Sequence, residues 1–239
     1  MQNGTALASK LVVRGVVLFD FGGTLDADGA RWSVRFHAAY TTAGGREPFS
    51  VFEDAFRASD RALGRVPGID SMGFRAMVDL QAALVLARLP DGLTLSRERI
   101  VDDFHGRSLA IIRRNQQLLA RLRRSYQLAV VSNFTGNLRP CLEELDLMRY
   151  FSAVADSARV GVTKPDPRLF RHALESLDWK VNEDPVWMVG DNFEADIRPA
   201  ASLGMRTAWL APPVARSPDS KLPTVRLTTL TELAEVLDT

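Results

Sequence analysis

Short runs of β-branched and apolar residues, separated by stretches of helical periodicity, constrain this chain more than any other feature. Val12–Asp20, Gln127–Ser132, Val186–Gly190 and Thr207–Leu210 each read as a buried strand, and Phe151–Ala155 as a weaker one. Helical patterns follow at Asn137–Leu145, Pro167–Leu177 and Phe193–Leu203, with Gly190 and Gly204 where tight turns and helix ends want them. Strands and helices alternating at this spacing bury their apolar faces as a doubly wound parallel sheet with helices on both sides, an α/β fold.

Residues 28–105 break the alternation. Arg31–Ala43, Phe49–Leu63, Phe74–Leu89 and Arg97–His105 read as one helix after another. Trp32, Phe36 and Tyr40 fall on one helical face, as do Ala76, Leu80, Ala83, Leu84 and Ala87. The simplest reading is an all-helical insertion at 28–105 after the first strand, with 1–27 and 106–239 forming the core domain. It accounts for a length of 239 residues, above the usual single domain of about 100–150. Ser108–Arg123 reads as a core-flanking helix leading back to the sheet. Beyond a Pro-rich loop at Ala211–Pro223, a short strand is expected near Thr224–Leu227. Thr229 and Glu232 have capping-box spacing for a final helix.

Composition excludes several classes. Apolar residues make up 46% and charged residues 25%, which is ordinary for a folded soluble domain and excludes general disorder. A net charge of +1 gives no reason to expect nucleic-acid binding. The single cysteine, Cys141, excludes a disulfide framework and a Cys-based zinc site, and a reducing, cytoplasmic setting is expected. The longest apolar runs fall far short of the ~20 residues needed to cross a bilayer, so no membrane partner is expected. The polar residues before Lys10 and the interruption at Arg14 make a poor secretory signal. Oligomeric state has no reading in the sequence.

In an open parallel sheet, ligands bind outside the carboxyl ends of the strands, so the residues that end the apolar runs matter most. The first run ends in Asp20, followed by Phe-Gly-Gly-Thr24-Leu. The second ends in Ser132-Asn133, and the fourth in Gly190-Asp191-Asn192, continuing to Asp196. Lys164 stands in Thr163-Lys-Pro-Asp-Pro167 before a helix, where Asp166 reads as an N-cap. Singly, each is an ordinary turn or cap residue. Together, carboxylates converging on one sheet edge repel one another unless a cation sits among them. Hard oxygen ligands suit Mg²⁺, and a lysine with a Gly-rich turn suits a phosphate. The residues alone therefore point to Mg²⁺-dependent phosphoryl transfer.

Phe19-Asp-Phe-Gly-Gly-Thr-Leu25, Val131-Ser-Asn133, Lys164-Pro-Asp-Pro167 and Gly190-Asp-Asn-Phe-Glu-Ala-Asp196 stand in this order. With them the chain resembles the haloacid-dehalogenase-like (HAD) superfamily of hydrolases, in the form with a helical cap inserted after the first strand. The resemblance implies a Rossmann-like core. It also implies that Asp20 is the nucleophile, forming an aspartyl-phosphate. Asp20, Asp191 and the Gly22 carbonyl would hold Mg²⁺, with Asp196 supporting the site through the ion's waters or through Lys164. Ser132 would bind a phosphoryl oxygen and Lys164 would offset the crowded charge. Gly23 and Thr24 would shape the phosphate turn, and Asn133 and Asn192 would bond substrate. The implied partner is a small phosphorylated substrate.

One position departs from the family pattern. HAD phosphatases usually carry a second Asp two residues after the nucleophile, as acid and base; here it is Gly22. Acid–base help is typically worth about 10²–10⁴-fold, so alkyl phosphates should suffer most and acyl or aryl phosphates least. Asp26, Asp28 and His37 are candidate substitutes. The alternatives are a catalytically weak Mg²⁺/phosphate-binding relative or, disfavoured by Asp191 and Asp196 together, a haloacid dehalogenase. Relatives that use a cap lysine as a Schiff base are excluded, since residues 11–163 contain no lysine. Among the insert's arginines, Arg31 and Arg35, nearest the first motif, are expected to face substrate; Trp32 reads as core of the insert and Cys141 as a packed apolar residue.

Overall fold

The computed structural model describes residues 13–179 and 184–237. Six strands, β1 (Val16–Phe19), β2 (Gln127–Ser132), β3 (Ala153–Asp156), β4 (Val186–Gly190), β5 (Arg206–Leu210) and β6 (Val225–Leu227), form one sheet in the order β3-β2-β1-β4-β5-β6. Every pairing is parallel. This is the expected Rossmann-like order, with the switch in direction beside β1. The period-two alternation of β1 explains its place at the centre. Val17 and Phe19 join one buried cluster while Val16 and Leu18 join another, on the opposite face of the sheet.

Helices α1 (Trp32–Thr42), α2 (Phe49–Leu63), α3 (Phe74–Leu86) and α4 (Arg97–Leu122) follow β1. The later helices are α5 (Leu138–Glu144), α6 (Ser157–Val160), α7 (Pro167–Ser176), α8 (Arg198–Ser202) and α9 (Leu233–Leu237). The block after β1 is helical, as its periodicity predicts. Its aromatic face, Phe36, Phe52, Phe56, Phe74 and Phe104, continues the same cluster that contains Phe19 and Phe21. This helical block is thus continuous with the core on one face of the sheet through a shared apolar cluster. The Thr229 capping box is present, and Asp166 accepts from Arg168 N at 2.9 Å, as an N-cap should. Cys141 is fully buried, and burial raises its thiol far above the ordinary range.

Several boundaries differ from the sequence expectation. The two helices read at Arg97–His105 and Ser108–Arg123 are one continuous helix, so position 105/106 falls inside α4. Gly106 between them lowers helix propensity but does not break a helix pinned on both sides by buried Phe104 and Ser108. The helix expected to reach Leu89 ends at Leu86, because Pro90 disfavours helical backbone in the residue before it. The helix expected over Phe193–Leu203 is a wide turn, Phe193–Ile197, followed by α8. There the Asn192 side chain accepts from Glu194 N and Ala195 N and diverts the first turn. The first ladder begins only at Val16; Val12 lies outside the described residues. The third strand is displaced to Ala153–Asp156. No helix among the described residues is long and apolar enough to cross a membrane.

Candidate active site

Because β2, β1 and β4 are neighbours, their carboxyl ends bring Ser132, Asp20 and Asp191 to one edge of the sheet. Asp20 directly follows β1, and its N–H continues the ladder to Val189 O at 2.9 Å. Ser132 Oγ donates to Asp20 Oδ1 at 2.9 Å, and Lys164 Nζ donates to the same oxygen at 2.6 Å. Lys164 also donates to Val131 O at 2.9 Å and lies 2.6 Å from Asp196 Oδ1. One carboxylate oxygen of Asp20 is therefore held by two donors. Asp20 Oδ2 receives no hydrogen bond among the described residues, and Asp20 lines the cavity.

Loop geometry secures these groups. The Asn133 amide is used at both ends, accepting from Lys164 N at 2.7 Å and donating to Lys164 O at 3.0 Å, and so pins the lysine's loop beneath β2. Asp196 Oδ2 accepts from Asn192 N at 3.0 Å. Trp209 Nε1 donates to Asp191 O at 2.9 Å. Gly23 adopts φ +94°, and a Cβ there would come within 2.6 Å of Asp191 Oδ2, so only glycine allows the loop to pass this close. Thr24 Oγ1 lies 3.3 Å from Asp191 Oδ1. Gly23 and Thr24 are buried behind Asp191 and do not line the cavity, whereas Gly22, Asn133 and Asn192 do.

Electrostatics single out this cluster. Asp20, Asp191 and Asp196 each present an oxygen within 4.8 Å of the others, with Lys164 the one ammonium among them. Burial, with Asp20 and Asp196 nearby, pushes the Asp191 carboxyl well above the usual carboxylate range. Burial likewise raises Asp196, to about 6, against the pull of Lys164. Burial also works against the Lys164 charge, but Asp196 and Asp20 outweigh it and hold the ammonium above its ordinary value. Three carboxylates around one lysine, two of them buried and Asp191 partly so, leave an excess of negative charge. A hard divalent cation is the kind of group such an oxygen set fits.

The cavity above the cluster has a volume of about 250 Å³. Its floor is Asp20, Ser132, Lys164, Asp191 and Asp196, and its far wall comes from the helical insertion, with Arg31, Trp32, Phe56, Asp60, Leu63 and Met77. Of the two arginines expected to face it, Arg31 does. Arg35 does not: it is bonded to Asp26 and Ser108 and lies 4.3 Å over the Phe104 ring. Trp32 is both core and wall, packed edge-on against Phe21, Phe74, Phe104 and Phe134.

None of the three candidate substitutes for the missing acid reaches the cavity wall. Asp26 is fully buried and accepts from Gly23 N at 2.8 Å, Trp32 Nε1 at 2.9 Å and Arg35. Asp28 is paired with Arg114 at 2.7 Å, and His37 lies against Glu47 O. Asp26 ties the loop after β1 to α1, and through Ser108 to α4. Breaking a buried pair from one side strands the other charge. Arg35→Met is therefore expected to lower the unfolding free energy by about 3 kcal/mol in urea titration. A loss below about 1 kcal/mol, as for an exposed pair, would contradict this assignment.

Sequence reasoning missed Asp156. It accepts from Gly136 N, Leu138 N and Ala158 N and so shapes the loop after Ser132. The signal was available, since Asp156 ends the third apolar run. Phe56, Asp60, Leu63, Met77, Phe134 and Thr135 were also missed as cavity residues. No strand-end rule points to them.

Comparisons with known proteins agree with this fold. A family model described as haloacid dehalogenase-like hydrolase matches residues 15–204. The pyrimidine 5'-nucleotidase YjjG of Escherichia coli is 32% identical over 121 residues, 50% of this chain and 53% of that protein. A phosphoserine phosphatase of Thermus thermophilus is 42% identical over 89 residues, 37% of this chain and 35% of that protein. The chain thus spans about half the length of the first relative and about a third of the second. The crystal structure of the HAD hydrolase YfnB of Bacillus subtilis shares the fold, with a TM-score of 0.57 at 18% identity, covering 95% of this chain and all of that one. The strand order, the carboxylate cluster on the central strand ends and the family match lead to one conclusion: the chain belongs to the haloacid dehalogenase-like hydrolases.

Proposed function

We propose that the protein is a Mg²⁺-dependent phosphatase that hydrolyses a small phosphorylated metabolite through an aspartyl-phosphate on Asp20. The observation that carries this reading is the Asp20–Asp191–Asp196 cluster with a single lysine at the floor of a cavity. Asp20, Asp191 and the Gly22 carbonyl would hold Mg²⁺, and the ion would supply charge neutralisation for the nucleophile and the phosphoryl oxygens. Asp196 serves through Lys164, to which it is already paired. Ser132 and Lys164 fix Asp20 Oδ1, which leaves Oδ2 to attack phosphorus while the bond to the leaving oxygen breaks. Water then releases phosphate from Asp20. Residues 28–105 act as a cap whose wall closes the cavity and excludes water during the first step. The two phosphoester-hydrolysing relatives support the phosphatase class.

Gly22 offers no proton to the leaving group, and Asp26, Asp28 and His37 are engaged elsewhere. The leaving oxygen therefore departs without help from this loop. With Mg²⁺ present, phosphate release from acetyl phosphate and 4-nitrophenyl phosphate is expected to exceed that from a simple alkyl phosphate by about 10²-fold or more. A chelator should abolish all three. Absence of turnover on every phosphate would leave a binding protein. Metal-independent halide release from a 2-haloacid would make the chain a dehalogenase.

A further inference from the structure

The wall contributed by the insertion carries two charged side chains, Arg31 and Asp60. They are not equivalent. The Arg31 guanidinium is mostly exposed and lies 3.9 Å from Glu53 Oε1, an oxygen that Arg57 holds more closely, at 3.1 Å. Asp60, two helical turns beyond Glu53 on α2, makes no hydrogen bond or ion pair among the described residues. It is solvent-accessible, yet it projects from the same helix face as Phe56 and Leu63, one turn to either side, and those residues line the same cavity. Trp32 and Met77 add apolar lining to the same cavity. Partial burial raises its carboxyl above the ordinary range, and Arg61, next in the chain and outside the cavity lining, lowers it. The phosphate belongs on the floor, beside Lys164 and Asp20. What projects towards α2 is the leaving group.

We infer that Asp60 is a specificity-determining residue that selects phosphate esters whose leaving group has an apolar body and a cationic, amine-bearing end. The inference rests on the cavity floor being a phosphate site, as proposed above. An ammonium beside Asp60 supplies the partner that the carboxylate lacks, while the apolar body packs on Trp32, Phe56, Leu63 and Met77. A leaving group with an anionic end meets an uncompensated carboxylate and is disfavoured.

Non-hydrolysable probes test this without relying on turnover. Titration calorimetry with Mg²⁺ would compare 4-(aminomethyl)benzylphosphonate, 4-ethylbenzylphosphonate and 4-(carboxymethyl)benzylphosphonate on the full chain. The wild type is expected to bind the amine about tenfold more tightly than the ethyl compound and to bind the carboxylate most weakly. Asp60→Asn should bring the three affinities together, and Asp60→Lys should reverse their order. Thermal melts confirm that the variants fold. Unchanged preference in both variants would overturn the inference, as would weakening of all three probes by one factor, which is what a purely structural role gives. If Asp60→Asn leaves the affinity order intact but slows alkyl more than aryl phosphate hydrolysis, Asp60 is a proton donor and the inference falls. 4-Nitrophenyl phosphate assayed alongside keeps the two readings apart. Its lack of turnover counts against the phosphatase, and the affinity order alone decides the role of Asp60.

Discussion

Asp20→Asn is expected to reduce phosphate release by at least about a thousandfold while the protein stays folded. The amide oxygen can still accept from Ser132 and Lys164, which now lie 2.9 and 2.6 Å from Asp20 Oδ1, but no anionic oxygen remains to attack phosphorus. Stability should change little, because one of three mutually repelling carboxylates has been neutralised while Lys164 keeps Asp196. Calorimetric melting within about 4 °C of wild type, the shift that 1 kcal/mol gives in a chain of this size, together with lost turnover separates chemistry from folding. Residual activity at a tenth of wild type would remove Asp20 from the reaction.

The second large effect concerns Gly22. Supplying the missing carboxylate by Gly22→Asp alone is expected to lower activity on acyl and alkyl phosphates alike. A Cβ at this position would stand 3.1 Å from Trp32 Nε1 and 3.3 Å from Trp32 Cε2, tighter than ordinary van der Waals contact. The indole cannot retreat freely, since its N–H is bonded to Asp26 and its ring is packed among phenylalanines. Combined with Trp32→Leu, which opens that space, Gly22→Asp should raise the alkyl-to-acyl rate ratio by about tenfold to a hundredfold over Trp32→Leu alone. Steady-state assays on acetyl phosphate and an alkyl phosphate read this directly. An increase from Gly22→Asp alone would show that the loop admits the side chain and that Trp32 is no obstacle. An unchanged ratio in the double variant would argue that protonation is not what limits alkyl substrates.

The legibility of the fold followed from where one interaction dominated. β1, β2 and β4 are buried on both faces, so each is a nearly continuous apolar run, and the residue that ends each run is one of the cluster: Asp20, Ser132 or Asp191. Topology then places those ends side by side without further information. Lys164 was legible from its Thr-Lys-Pro-Asp-Pro setting, although the contact that uses it spans 144 residues. Helix ends were less legible, because they depend on contacts distant in sequence. α4 runs through Gly106 on the strength of packing by Phe104 and Ser108, which outweighs the local propensity. Asp26 shows the limit most clearly. From sequence it is a polar loop residue close to the nucleophile and a fair candidate acid. In the structure its partners come from α1 and α4, 9 and 82 positions away, and they make it a buried tie between loop and insertion. The cavity wall formed by α2 was unreadable for the same reason. Phe56, Asp60 and Leu63 share a helix face, but nothing in their spacing says which face meets the sheet edge.

The central claim is that phosphorus passes through Asp20, and rapid acid quenching followed by peptide mass spectrometry tests it most directly. With acetyl phosphate and Mg²⁺ in the first turnover, one phosphoryl group is expected on the peptide that contains Asp20, absent from Asp20→Asn and from samples treated with chelator. Full product release with no phosphorylated peptide at any quench time, or a phosphoryl group on a different residue, would contradict it.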